Sequence, residues 1–113
     1  HTDSTLLKIA VGNILSNALK FQKKYPKEPH RVQVEVGTNN ERLKIVVKDN
    51  GEGIHEAHLQ KIFDMFYRAT ANAPGSGLGL YIAKEAAQKL GGEIHVHSVY
   101  GEGSTFTIEL PEK

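Results

Sequence analysis

The chain has 113 residues, 39% hydrophobic and 24% charged, the proportions of one globular domain and not of a disordered, collagenous or coiled-coil chain. Its 14 basic and 13 acidic residues leave a net charge of +1, without the basic footprint of a nucleic-acid binder. The lack of cysteine excludes a disulfide framework, a thiolate metal site and a cysteine nucleophile, and no apolar run approaches the roughly 18 residues of a membrane span.

The opening His-Thr-Asp-Ser is not a signal peptide, and the helical pattern begins at once, as in a single domain (residues 1–113) cut from something larger. Residues 3–24 read as a helix, capped by Asp3 or Ser4, with Leu7, Val11, Ile14, Leu15 and Ala18 on one face. Pro26 and Pro29 then break the chain. Val32, Val34 and Val36 alternate with polar residues and predict a half-buried strand over 31–37. A turn at Thr38–Glu41 leads to a second strand carrying Leu43, Ile45 and Val47, so the pair reads as an antiparallel hairpin. Asp49-Asn-Gly-Glu-Gly53 ends it in a glycine-containing loop, followed by a short helix from about His58 to Phe66. A small-residue loop covers 69–77. Leu78–Leu90 reads as a helix with Ile82, Ala83, Ala86 and Leu90 inward, stopped by Gly91-Gly92. Two more strands follow, one bearing Ile94, Val96 and Ser98, the other Phe106, Ile108 and Leu110. Strands that come in hairpins predict an α+β fold, with helices on one face of a mixed, mostly antiparallel sheet.

Three features carry chemistry. Asn13, Asn17 and Lys20 are spaced i, i+4, i+7 and share a helix face, with Phe21 beside them. Amide oxygens suit Mg²⁺ and a lysine suits phosphate, although on the stripe alone a solvated helix face is the commoner explanation. Asp49 stands at a strand end before glycines that permit close backbone approach, where a carboxylate can accept from a ligand amine; a plain turn explains the motif equally well. It is not a calcium loop, because position 60 is Gln60 where that loop needs a glutamate. Gly75-Ser-Gly-Leu-Gly79-Leu80 runs into a helix whose free N–H groups favour phosphate, or it is simply a flexible helix start. It matches neither the dinucleotide fingerprint nor the P-loop.

Taken together and in this order, the three resemble the N, G1 and G2 boxes of the sensor histidine kinase catalytic domain, in the wider gyrase, Hsp90, histidine kinase and MutL-like superfamily. The segment Ile62-Phe-Asp-Met-Phe-Tyr-Arg68 is similar to the F box, and Gly103–Pro111 to the family's last strand. The resemblance covers nearly the whole chain and implies a Bergerat-type two-layer α/β sandwich that binds Mg²⁺ and ATP. By match, Asn17 would be the principal metal ligand with Asn13 assisting, Lys20 would meet phosphate, and Phe21 would line the adenine pocket. Asp49 would accept the adenine amino hydrogen. Gly51 and Gly53 would let the base sit close, and Ile54 and Phe106 would form apolar walls. Ser76, Gly77, Leu78 and Gly79 would cradle phosphates, Arg68 would reach them, and Ser104 or Thr105 would complete the adenine hydrogen bonds. Residues 55–77 would form the lid. Met65 stands where many relatives carry a basic residue, and the lid after Arg68 is short.

The hydrolytic relatives place a glutamate four residues before the metal-binding asparagine. Here that position is Asn13, and an amide is a poor general base. The resemblance therefore implies a kinase half-site. The phosphoryl group would go to a histidine on a separate dimerisation and phosphoacceptor domain of the same kinase, with a response regulator downstream. None of the 6 histidines here shows the acceptor signature. They read as surface residues, and His95 and His97 lack further ligands at zinc spacing. The lid surface around Phe66 and Tyr67 is a candidate for docking against the acceptor helices. The expectation is a cytoplasmic domain, monomeric in isolation, without direct membrane insertion or nucleic-acid binding, whose parent protein can be membrane-anchored. A non-catalytic nucleotide sensor and an anti-sigma-type serine kinase are the competing readings.

Overall fold

The computed structural model describes residues 4–23, 28–39, 41–65, 67 and 78–111. Helix α1 (Ser4–Lys20) leads to strands β1 (Val32–Asn39) and β2 (Arg42–Asp49). Helix α2 (Gly79–Lys89) leads to β3 (Glu93–Val99) and β4 (Gly103–Pro111). The four strands form one sheet in the order β1-β2-β4-β3. All three pairings are antiparallel, so the parallel component of the expected mixed sheet is absent among the described residues. The two hairpins are joined through β2 and β4, a long-range pairing that places Asp49 opposite Ser104.

Both helices cover one face of the sheet. The core is Ala10 and Ile14 from α1, Ala83, Ala86 and Ala87 from α2, and Ile45, Val47, Phe106, Ile108 and Leu110 from the two central strands. Alanines at the helix–helix seam let the two backbones approach closely. Bringing that alanine row against α1 turns Ile82 outward to 38% exposure, so Ile82 is not a core residue as the periodicity predicts. No helix among the described residues is long and apolar enough to cross a membrane.

Other expectations shift at their edges. α1 stops at Lys20 instead of reaching 24. Phe21 N–H makes the last helical bond, to Asn17, while the Phe21 carbonyl is taken by the N–H of Glu52. The short helical segment expected from about His58 is made of 3₁₀-type turns and starts earlier, with a 3₁₀ turn at Glu56–His58. Successive i→i+3 bonds then run from Lys61 to His58, Asp64 to Lys61 and Tyr67 to Asp64. Phe63 anchors this segment with its ring edge-on to Phe106, centroids 6.3 Å apart. Phe66 and residues 68–77 lie outside the described residues. On β1, Val34 and Val36 face the helix side, opposite Val47 and Ile45, yet are 48% and 67% exposed, because the helical layer is centred on the inner strands. At the end of α2, Gly91 adopts φ +81°, and the N–H groups of Gly91 and Gly92 return to Gln88 and Ala87. This is the paired closure that satisfies a helix C-terminus.

Candidate nucleotide site

The site is built where β2 ends beside the last turn of α1. Asp49 is half-buried, and its carboxylate accepts the N–H of Gly51 at 2.8 Å. Burial pushes the Asp49 carboxyl above the ordinary carboxylate range, while the Gly51 N–H, the charge of His30 and the Ser104 N–H pull it partly back. The next residue braces the loop. Asn50 accepts Arg31 N–H at 2.7 Å and donates its amide to the carbonyl of Pro29 at 3.0 Å. Gly51 needs its missing side chain, since a Cβ there would lie 2.5 Å from the Phe21 carbonyl oxygen. Gly53 adopts φ +75°, and a Cβ would strike the Val99 backbone. The loop thus lies tightly between the end of α1 and the β3–β4 turn.

The Ser98 hydroxyl organises the far side. It donates to the Gly103 carbonyl at 2.8 Å and accepts Ile54 N–H at 2.7 Å. With its own proton committed, the 2.9 Å contact to Ser104 is a bond donated by Ser104. Ile54 packs against the core. Phe106 is only 1% exposed and belongs to the core, not to a pocket wall. Strand alternation separates the other two candidates: Ser104 is buried on the Asp49 side. Thr105 faces the outer side of the sheet, in a depression of about 300 Å³ with Lys48, His97 and Glu102.

On α1, Asn13 and Asn17 are half-buried, Lys20 is exposed and Phe21 half-buried. The Asn13 amide nitrogen donates to the Ile9 carbonyl at 2.8 Å. This leaves its Oδ1 towards the start of α2, 3.5 Å from where a Gly79 Cβ would be. A glycine at that place keeps the helix N-terminus, with its unsatisfied N–H groups, close to the asparagine. Leu78 supplies the carbonyl for the first helical bond, from Ile82 at 2.8 Å. The structure thus gathers the N-box amides, the Asp49 loop and the first turn of α2 at the same end of the helical layer. Arg68, Ser76 and Gly77 lie outside the described residues.

Residues 2–113 match the family described as histidine kinase-, DNA gyrase B-, and HSP90-like ATPase. The chain belongs to this ATPase family. The sensor histidine kinase WalK of Bacillus subtilis (strain 168) is 44% identical over an alignment of 108 residues that covers 91% of this chain and 17% of that protein. The sensor protein SrrB of Staphylococcus aureus is 36% identical over an alignment of 106 residues that covers 90% of this chain and 18% of SrrB. The chain thus spans less than a fifth of these curated relatives. Among solved structures, the mycobacterial sensor histidine kinase MprB superposes with a TM-score of 0.81 at 34% identity, covering 96% of this chain and 72% of that one. Full-length ShkA in complex with AMPPNP gives 0.80 at 28% identity, covering 94% and 21%. The α+β fold is that of histidine kinase ATPase domains.

Two residues of this ATPase-family chain reach the surroundings of Asp49 without a motif to announce them, His30 directly and Ser98 through Ser104. His30 lies close enough for its charge to act on the Asp49 carboxyl, and its Nε2 is buried without a hydrogen-bond partner among the described residues. The period-two pattern of Val32, Val34 and Val36, extended back by one step, would have put His30 on that side. Ser98 follows Ile94 and Val96 in the same way. The remaining histidines near the loop are tied down: His55 stacks on Tyr100 with centroids 3.8 Å apart, and His58 Nδ1 bonds the Tyr67 hydroxyl at 2.5 Å. His55 is exposed and His58 half-buried, so both stay at the surface, as the sequence reading has them, each held by a ring partner.

Proposed function

We propose that this chain binds Mg²⁺-ATP and serves as the catalytic domain of a protein-histidine kinase. Its γ-phosphoryl acceptor is a histidine on a separate dimerisation and phosphoacceptor domain of the same kinase, with a response regulator as the next recipient. The observation that carries the reading is Asp49: a half-buried carboxylate, oriented by Gly51 N–H, at the loop between α1 and the central strands of a family of ATPases. A carboxylate so fixed accepts from the exocyclic amine of adenine. Guanine presents a carbonyl there and would leave two acceptors face to face, so adenine is selected.

The donor set fits a magnesium nucleotide. Two amide oxygens, Asn13 and Asn17, are hard neutral ligands of the type Mg²⁺ accepts, in small number. Lys20 brings a mobile cation for phosphate, and the free N–H groups at Gly79 and Leu80 add the positive end of α2. Leu78 orders that first turn. Arg68, Ser76 and Gly77 extend the phosphate contacts in this reading. Phe21, Gly53 and Ile54 border the base, and Ser104, not Thr105, is the hydroxyl on its side. When bound, the metal neutralises triphosphate charge, and transfer then rests on positioning. Asn13 cannot take a proton from water as a carboxylate would, which favours transfer to an acceptor over hydrolysis.

The test is calorimetric titration of the chain with a non-hydrolysable ATP analogue, with and without Mg²⁺, beside GTP and the Asp49→Asn variant. Magnesium-dependent, adenine-selective binding that collapses in the variant is the expected result. Folded wild-type protein that binds no nucleotide would remove the reading. Phosphorylation of a supplied acceptor domain then separates a kinase from a nucleotide sensor.

A further inference from the structure

We propose that Glu93, His95 and Glu109, on the face of the sheet opposite the helices, form a site for a divalent transition cation of the zinc class. Glu93 and His95 are two residues apart on β3 and share a face. Glu109 enters from β4, directly opposite Glu93 in the register. His95 Nε2 lies 3.1 Å from Glu93 Oε1 and 3.3 Å from Glu109 Oε1. One ligand atom from each of the three residues can be chosen so that all lie within 4.8 Å of one another. A tetrahedral ion with bonds of about 2.0 Å has ligand–ligand edges of about 3.3 Å. The two imidazole–carboxylate distances already match such edges.

Proton counting points the same way. A neutral imidazole has a single N–H, so Nε2 can donate to one of these carboxylates or stand as a lone pair before both. In the second state three acceptors converge on one point, an arrangement suited to a cation. The neighbouring cations do not fill it. Arg42 lies 3.9 Å from the other oxygen of Glu93, and Lys44 lies 3.9 Å from the other oxygen of Glu109. They flank the centre, offset part of the carboxylate charge and leave both Oε1 atoms aimed at His95. The solvent side stays open for water as a fourth ligand. Imidazole with carboxylates selects zinc-like ions over magnesium, which separates this site from any nucleotide-bound metal at the opposite side of the sheet.

The experiment titrates the nucleotide-free chain with zinc chloride by calorimetry, and with magnesium chloride as the comparison. It uses the wild type, His95→Ala, Glu109→Gln and, as control, His97→Ala. All three substituted positions are on the outer face of the sheet, and circular dichroism confirms that each variant is folded. The expected result is one zinc equivalent on wild type and His97→Ala, no magnesium binding there, and at least about a tenfold loss of zinc affinity in the other two variants. Zinc should also raise Tm of wild type but not of His95→Ala. Absence of zinc binding, or zinc affinity unchanged by both His95→Ala and Glu109→Gln, would overturn the proposal and leave the cluster as a hydrogen-bonded ion-pair network.

Discussion

Glu52 donates its backbone N–H to the carbonyl of Phe21 at 2.9 Å, joining the loop after β2 to the residue at which α1 ends. Two sequence-distant boxes are held in contact by one main-chain bond, and Gly51 makes the approach possible. Gly51→Ala would put a Cβ 2.5 Å from that carbonyl oxygen. The expected cost is about 1–3 kcal/mol, seen as a Tm lower by several degrees, with weaker nucleotide binding because the Asp49 loop must shift. Gly37 has nothing within 4 Å of its Cβ position, so Gly37→Ala should leave Tm and affinity nearly unchanged. Equal effects in the two variants would refute the packing argument.

Asp49 combines a cost to the fold with a role in binding. Burial disfavours its charged form, so Asp49→Asn, which retains an oxygen to accept the Gly51 N–H, should fold at least as stably as wild type at pH 7. Under the proposed function it should lose nucleotide affinity by about tenfold to a hundredfold. Thermal melts and calorimetry on the same samples check both halves. A variant that is less stable and still binds would contradict the assignment.

The pH dependence follows from the direction of the same shift. With its pKa raised in the folded state, Asp49 holds a proton in a window just above the ordinary carboxylate value where the unfolded chain has lost it. The native state then binds more protons than the unfolded state, so stability falls as pH rises through that window and is level above it. Urea unfolding of wild type and Asp49→Asn across this range should show a difference that grows in the variant's favour with pH and then flattens. A difference that shrinks with pH would reverse the sign and remove burial as the dominant cause.

Ser98 serves Ile54, Gly103 and Ser104 at once. Ser98→Ala strands an N–H and a carbonyl in a partly buried turn, at a cost of about 1–3 kcal/mol. Hydrogen exchange should quicken first at Ile54, whose N–H loses its acceptor. Protection of Ile54 equal to wild type would mean that another group accepts that bond.

Much of this was legible in residue order. Alternation in 32–36, 43–47, 94–98 and 106–110 marked four strands, and the N, G1 and G2 boxes marked the ends of α1, β2 and the start of α2. What escaped was set by contacts between distant segments. No local pattern says that β4 inserts beside β2, and so none places Glu109 beside His95 or Ser104 beside Asp49. The valines of β1 read as half-buried because alternation reports a face without reporting whether a helix covers it. α1 ended early because the carbonyl of Phe21, the residue just after it, found a partner in Glu52, more than thirty residues away in the sequence. Arg68, Ser76 and Gly77 fall outside the described residues, so their part in the site rests on the motif match alone.

The pairing of β2 with β4 bears on how recognition arises during folding. The β1–β2 hairpin closes over a short turn and can form early. Joining β2 to β4 brings Arg42 to Pro111, a closure over most of the chain that is entropically slower. Before it occurs, Asp49 has neither Ser104 nor the burial that alters its acidity, and is an ordinary carboxylate in water. Under the proposed function a partly folded chain would therefore be blind to adenine, and the change in Asp49 proton affinity is a clock hand for the moment at which the central strands meet.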